Sequence, residues 1–435
     1  MDRLEPRLTR SLTLTESSAT TRFTTLSSVE RVRWGIIGVG DVTERKSGPG
    51  FQQAERSELV AVMRRRGDLA ADYARRHDVP RWYDDADELI NDPEVDAVYI
   101  ATPPDSHKEY VVRVARAGKA VYVEKPMART AQECEEMISA CDEAGVALFV
   151  AYYRRAMPRF VTVKELLDSG RIGQLRSVSI RNEQPAQVGD ADNGGWRLDP
   201  KISGGGYFVD LGSHILDLLD WLLGPVTYAA GIATNRGAHS PAEDLVTGVF
   251  TFRSGVAGTG VWNYDSFQHQ DQIEIIGTAG ALHFSCFSDA PLRLVTAHGV
   301  EHIAAPYPET VQLPLIQAVV NALTGHGESP STGQSALRTA RVIDTLLSDY
   351  RGESRNQLRP PEVKRRRRPI AMSPDATTRM AAATSQSPDD PRAVGAVGAV
   401  CAVAAVDGCG ASEGAVDGTL AAAASAVKVK LPEIG

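Results

Sequence analysis

The stretch Val32-Arg33-Trp34-Gly35-Ile36-Ile37-Gly38-Val39-Gly40-Asp41-Val42 decides the fold. A short apolar run with β-branched residues passes into Gly-x-Gly and then into a helix-like segment, which is the order strand, tight turn, helix. Glycines there allow the turn and let the backbone approach a pyrophosphate resting on a helix amino terminus. Gly-x-Gly alone is a weak signal, and Thr43 stands where the fingerprint carries its third glycine. Position strengthens it, because this is the first strand of a run of alternating elements.

Residues 59–63 read as a second strand and 69–77 as a helix; residues 95–101 form a third strand, stopped by Thr102-Pro103-Pro104. Asp105 and Ser106 are good helix starters for a helix that Gly118 ends. The apolar run 120–123 is a further strand, closed by Glu124-Lys125-Pro126, and a helix over 131–144 leads to a last strand at 146–150. Strands alternating with helices make βαβ units, so residues 31–152 are expected to form an α/β, doubly wound parallel sheet of Rossmann type. A proline directly after Lys125 restricts the backbone and is a candidate cis bond.

The pattern changes after Arg159. An amphipathic helix over 160–169 precedes consecutive strand-like segments at 177–181, 226–233, 245–264, 272–276, 281–284 and 292–295, with Gly277-Thr278-Ala279-Gly280 as a turn. Helices at 315–323 and 335–350 close this part. Consecutive strands with glycine turns indicate an α+β domain with a mostly antiparallel sheet over 153–355. Residues 1–30, rich in Ser, Thr and Arg, are expected to be a disordered extension; Asp2, Glu5 and Glu16 fit a transit peptide poorly. Residues 356–435, with the basic run 364–368 and an Ala/Val/Gly stretch, are expected to be a low-complexity disordered tail.

Across 435 residues the apolar fraction is 43% and the charged fraction 23%, the balance of an ordinary globular protein. The net charge of −8 argues against nucleic acid as the partner. No apolar run approaches a membrane span. Five cysteines without CxxC spacing give neither a disulfide framework nor a zinc motif, so a reducing cytoplasm is the expected location.

Three places carry candidate chemistry. Gly38, Val39, Gly40, Asp41 and Val42 form the expected phosphate turn. Beyond the second strand, where an acid would bind an NAD ribose, stand Arg64 and Arg65, which suits the 2′-phosphate of NADP, with NAD possible. Downstream, Gly204-Gly205-Gly206 precedes a helix carrying Asp210 and His214 one turn apart on one face, with Trp196 and Arg197 upstream as possible pocket walls. Asp210 and His214 could ligate a metal, but with no third ligand none is expected.

The Gly-x-Gly turn, Thr102-Pro103-Pro104 with Ser106-His107, Glu124-Lys125-Pro126, and Asp210-x-Gly212-x-His214 together resemble the glucose–fructose oxidoreductase/inositol dehydrogenase (Gfo/Idh/MocA) family over about residues 32–352. The resemblance implies a catalytic group of Lys125, Asp210 and His214 beside a nicotinamide. It also implies cofactor contacts from Thr102, Pro103, His107, Glu124 and Lys125, and substrate contacts from Lys125, Tyr153, Arg154, Trp196, Arg197 and His214. Tyr153 stands where many relatives carry Asn. The open face of the second sheet would make a dimer or tetramer.

The expected function is NADP-dependent hydride transfer to or from a sugar, cyclitol or related hydroxy/keto compound. A trans-dihydrodiol dehydrogenase or anhydro-sugar reductase of the same family, and a non-catalytic dinucleotide-binding sensor, are the alternatives. Hydride transfer needs a matching proton transfer at the carbinol oxygen. His214, near neutrality in its free form, is the expected proton carrier, with Lys125 polarising the oxygen and Asp210 orienting the pair; exchanged roles for Lys125 and His214 are the alternative.

Overall fold

The computed structural model describes residues 30–186 and 195–352. The expectations for residues 1–29 and for the tail from 356, including the basic run 364–368, lie outside the described residues.

The first half alternates β1 (Val32–Ile37), α1 (Asp41–Arg45), α2 (Gly48–Gln53), β2 (Ser57–Met63), α3 (Gly67–Arg76), β3 (Arg81–Tyr83), α4 (Ala86–Asn91), β4 (Ala97–Ile100), α5 (His107–Arg116), β5 (Ala120–Val123), α6 (Ala131–Ala144) and β6 (Leu148–Val150). All strand pairs are parallel, in the order β3-β2-β1-β4-β5-β6. Every residue of β4 and β5 is buried, which is why these segments read as unbroken apolar runs rather than alternating ones. The strand order reverses between β1 and β4, and a crevice opens at the carboxyl ends of strands at such a point. Gly38–Gly40, Thr102-Pro103 and Glu124-Lys125 therefore stand along one edge of the sheet. Beneath it Trp34, Phe51, Tyr99 and Tyr122 stack with ring centroids 5.0–6.3 Å apart and fix α2 to the sheet.

The second half runs α7 (Pro158–Asp168), β7 (Leu175–Glu183), α8 (Pro200–Ser203), α9 (Ser213–Leu223), β8 (Val226–Thr234), β9 (Leu245–Phe252), β10 (Ala257–Asn263), β11 (Gln270–Gly277), β12 (Gly280–Phe284), β13 (Leu292–Thr296), β14 (Gly299–Ile303), α10 (Leu313–Leu323) and α11 (Gly333–Leu347). Among the described residues its strands form one sheet, β14-β13-β12-β11-β7-β10-β9-β8. Only the β7–β10 pair is parallel. One face of this sheet is core, with Val246, Phe250, Trp262, Ile273 and Ile275 buried; on the other, Ile232, Val249 and Val300 are 65%, 46% and 55% exposed.

The last two helices return to the first domain. Gly50 of α2 packs against Ile316 of α10, where a Cβ would fall 2.6 Å from Cδ1. Ser331, before α11, donates to the Val150 carbonyl at 2.7 Å. The domains are thus clasped, and the edge carrying Lys125 faces the start of α9.

Candidate active site

Lys125 leaves the sheet two residues after β5, and its bond to Pro126 is cis. Its Nζ donates to the Asp210 carboxylate Oδ1 at 2.5 Å and to the Asp210 carbonyl at 3.1 Å, joining the two domains. Glu124 turns the other way. Its buried carboxylate accepts from the Lys125 amide at 3.0 Å, from Gln312 Nε2 at 2.8 Å and from the Tyr99 hydroxyl. Glu124 is therefore a strut that sets the Lys125 backbone.

His107 is a brace of the same kind. It is fully buried, with Nε2 2.7 Å from the Thr102 carbonyl and Nδ1 3.1 Å from that of Met127. It ties the Thr102-Pro103 turn to the loop after Lys125. Burial, opposed by those carbonyls, pulls its pKa down.

Asp210 does not lie in a regular α-helix, as the sequence spacing suggested. Residues Phe208–Gly212 form a π-turn that passes directly into α9, a widening common at functional sites. The preceding glycines serve a tight wrap. Gly204 has φ +86°, and a Cβ there would lie 2.7 Å from the Arg129 carbonyl. Gly206 N donates to Glu243 Oε1 at 2.8 Å, and a Cβ on Gly205 would crowd the same carboxylate at 3.0 Å.

Burial alone would raise the pKa of the Asp210 carboxyl, but Lys125 and then Arg197 outweigh it and hold it below the ordinary range. Arg197 Nε is 3.4 Å from Oδ2, and its guanidinium lies 4.6 Å from the Trp196 ring centroid. The structure thus brings Arg197 to Asp210, with Trp196 as its support.

His214 is 3% exposed and ringed by Tyr152, Tyr153 and Phe287, with centroids 6.0, 5.3 and 6.1 Å away. Its Nδ1 has no hydrogen-bond partner among the described residues. Burial, then the charges of Arg154, Lys125 and Lys46, push its pKa well below the usual imidazole range. The near-neutral titration expected from the sequence is lost for that reason, and the ring is neutral at physiological pH. Arg154, expected to touch substrate, is itself buried: Nε donates to the Cys286 carbonyl at 3.0 Å, and its guanidinium lies 5.0 and 4.5 Å from the Tyr153 and Phe287 centroids. Its influence on the site is through space.

On the crevice side, Gly38 has φ +94° and stands so close to Thr102 that a Cβ would lie 2.7 Å from its Cγ2. Gly38 and Val39 donate their amides to the Met63 carbonyl, at 2.8 and 3.2 Å, which sets the glycine turn beside the end of β2. At Gly40 an added Cβ would enter open space, with only the Gly38 carbonyl at 4.0 Å. Bare backbone facing a crevice beside exposed Asp41 and half-buried Val42 is the cradle a dinucleotide needs. Thr43 replaces the third glycine without penalty, because it is buried and its Oγ1 accepts from Gly40 N at 2.8 Å and donates to the Gly40 carbonyl at 2.9 Å. Beyond β2, Arg66 pairs with Asp68 at 2.8 Å, whereas Arg64 and Arg65 have no ion pair among the described residues.

Residues 32–152 match the description "Oxidoreductase family, NAD-binding Rossmann fold", and residues 160–283 match "GFO/IDH/MocA C-terminal domain". Oxidoreductase P35 of Formosa agariphila is 37% identical over 321 residues, 73% of this chain and 98% of that protein. The chain belongs to the GFO/IDH/MocA oxidoreductase family. A further relative is the 1,5-anhydro-D-fructose reductase of Ensifer adhaerens, 30% identical over 70% of this chain and 92% of that one. Among solved structures, aldose-aldose oxidoreductase from Caulobacter crescentus, complexed with glycerol, superposes with a TM-score of 0.67 at 26% identity, covering 74% of this chain and 98% of that one. Membership makes this protein an NAD(P)-dependent oxidoreductase acting on CH–OH groups.

Sequence reasoning missed several members of this site. Glu243 lies on a loop before β9 with no motif around it, yet its buried carboxylate anchors the π-turn, and burial raises its pKa to about 7. Arg155 is bidentate to Asp217, at 2.7 Å for both bonds, and reaches Asp220 at 3.1 Å beneath His214. Arg338 of α11 completes that group on Asp220 at 2.7 Å. The i, i+3 spacing of Asp217 and Asp220 on an otherwise apolar helix was the available signal. Lys46 follows α1 directly, and nothing in its sequence context marks it.

Proposed function

We propose that the protein transfers a hydride between a nicotinamide cofactor and a sugar or polyol, with Lys125 moving the proton and His214 orienting the substrate oxygen as a neutral imidazole. One observation carries the assignment. A lysine ammonium has three donors; two of those of Lys125 are fixed on Asp210 Oδ1 and O, and the third remains for a substrate oxygen. His214, depressed far below the usual imidazole range, is a weak base and is uncharged as an acid. This favours the exchanged roles over the assignment expected from the sequence.

When bound in its reduced form, the nicotinamide supplies the hydride. In that direction the carbonyl oxygen takes the Lys125 proton as its carbon takes the hydride with its electron pair; in the reverse direction Lys125 receives the hydroxyl proton. Asp210 holds the Lys125 nitrogen in place in both directions, and its own low pKa keeps it an anion. Tyr153 and Trp196 wall the site, and Arg197 shares the Asp210 carboxylate.

NADP is proposed as the preferred cofactor, on the strength of Arg64 and Arg65 beside the glycine turn with no ion pair among the described residues. The apolar exposed residues of the second sheet support a homo-oligomer formed through that face. The test of the activity is a panel of sugars, cyclitols and polyols followed by absorbance of the reduced cofactor, with NAD and NADP in parallel. Cofactor-dependent turnover of one or more is expected; binding of cofactor with no turnover across the panel would instead favour a sensor.

A further inference from the structure

We infer that the substrate is a sugar acid, whose carboxylate is received by Lys46 over the buried and unneutralised guanidinium of Arg154. The inference rests on the sugar or polyol reading above and names its charge class.

Two adjacent arginines make the case. Arg155 is buried and neutralised by Asp217 and Asp220. Arg154 is just as buried, at 5% exposure, but no carboxylate pairs with it among the described residues. Its Nε meets a carbonyl, Tyr153 hydrogen-bonds the guanidinium, and its Nη1 has no acceptor among the described residues. Buried Arg159 differs, since carbonyls of Ala305 and Ala290 occupy both its terminal nitrogens. A guanidinium without a counter-ion in a low-dielectric setting is costly, and an anion nearby offsets that cost. Tyr153 and Phe287, the rings that enclose Arg154, are also the rings that flank His214. The uncompensated charge therefore lies beside the proposed reaction centre.

Lys46 supplies the reachable contact. It is half-buried; its amide donates to the Val42 carbonyl at 2.9 Å, and its ammonium makes no hydrogen bond or ion pair among the described residues. Its neighbour Ser47 is fully buried and hydrogen-bonds Tyr99, whose hydroxyl in turn donates to Glu124; this sets Lys46 next to the Lys125 turn. Its charge is felt at both Asp210 and His214. Asp210 cannot neutralise it, because one oxygen is held by Lys125 and the other faces Arg197. One reachable ammonium matches the single charge of a carboxylate.

The experiment compares acid and neutral partners on the full-length protein: D-glucuronate against D-glucose, D-galacturonate against D-galactose, and D-gluconate against D-glucitol. Rates are measured with NAD and NADP, and binding to the NADH- and NADPH-loaded protein is measured by calorimetry. At least one acid should exceed its neutral partner by about tenfold or more in kcat/KM or affinity. Lys46→Met should reduce that advantage to about twofold, Lys46→Arg should retain it, and cofactor affinity should hold in both.

Neutral sugars preferred or equal in every pair would overturn the inference and leave the oxidoreductase reading intact. Glucose 6-phosphate preferred over all three acids would also overturn it, as would a Lys46→Met variant that weakens NADH or NADPH binding instead. Tighter, Lys46-dependent binding of an acid without turnover of any compound would support the inference and count against the proposed reaction alone.

Discussion

On the first domain's wall of the cleft, Gly38, Thr102 and Lys125 follow the carboxyl ends of β1, β4 and β5, strands buried on both faces. On the opposite wall Asp210 and His214 stand on a π-turn and the start of α9, supported by Glu243 on one side and by Arg155 with Asp217 beneath. The first wall is positioned mainly by backbone, a parallel ladder and a left-handed glycine, with buried Glu124 and His107 bracing the Lys125 turn. The second is positioned by buried charge. Backbone positioning survives most side-chain changes. A wall held by buried carboxylates and guanidiniums is exposed to single substitutions and to pH.

That contrast breaks most readily at Arg155. Removing one partner of a buried ion pair leaves the other charge uncompensated and costs about 3–5 kcal/mol. Arg155→Met should therefore lower unfolding free energy by about that amount in urea titration at pH 8. A loss below about 1 kcal/mol would mean the second wall does not depend on this charge.

Glu243 sharpens the comparison through pH. Its folded pKa of about 7 lies above the ordinary glutamate value of 4.5, so between those values the folded protein keeps a proton that the unfolded chain releases. The group's contribution is complete below pH 4.5 and is lost as pH rises toward 7, at up to about 1.4 kcal/mol per unit. Asp217, raised to about 6 by burial against the pull of Arg155, adds a fall in the same direction at lower pH. Glu243→Gln should flatten the stability profile between pH 5 and 7, followed by denaturant titration in steps; an unchanged slope would remove Glu243 from the account.

On the first wall the expected effect is smaller and confined to the cofactor. Arg64→Ala or Arg65→Ala should reduce the preference for NADP by about tenfold without altering the stability profile, measured by titrating both cofactors. Equal affinities for NAD and NADP in the unaltered protein would contradict the proposed preference.

The legibility of the two walls differed for the same physical reason. Gly38-x-Gly40, the apolar runs of β4 and β5 and the Glu124-Lys125-Pro126 turn are local signals, because a parallel strand and its terminal turn are written in consecutive residues. Strand β3 escaped notice, being three residues long with half-exposed Arg81 and Tyr83. The π-turn was read as regular helix, since its extra residue per turn leaves no mark in an i, i+4 spacing. The titration of His214 differs from expectation because it depends first on burial and then on the charges of Arg154, Lys125 and Lys46, which act at distances only the tertiary fold sets. Glu243 lies far from every motif, and Lys46 stands just beyond the glycine turn with nothing to mark it; their roles arise from packing.

The central claim is that Lys125 and Asp210, contributed by opposite walls, act as one proton-handling unit. A double-mutant cycle on turnover, with Lys125→Met, Asp210→Asn and both together on a verified substrate, tests it directly. The account predicts that each single change lowers kcat by about 10²–10⁴-fold and that the double mutant is about as slow as the slower single. Losses that multiply in the double mutant would show two independent tasks and contradict it.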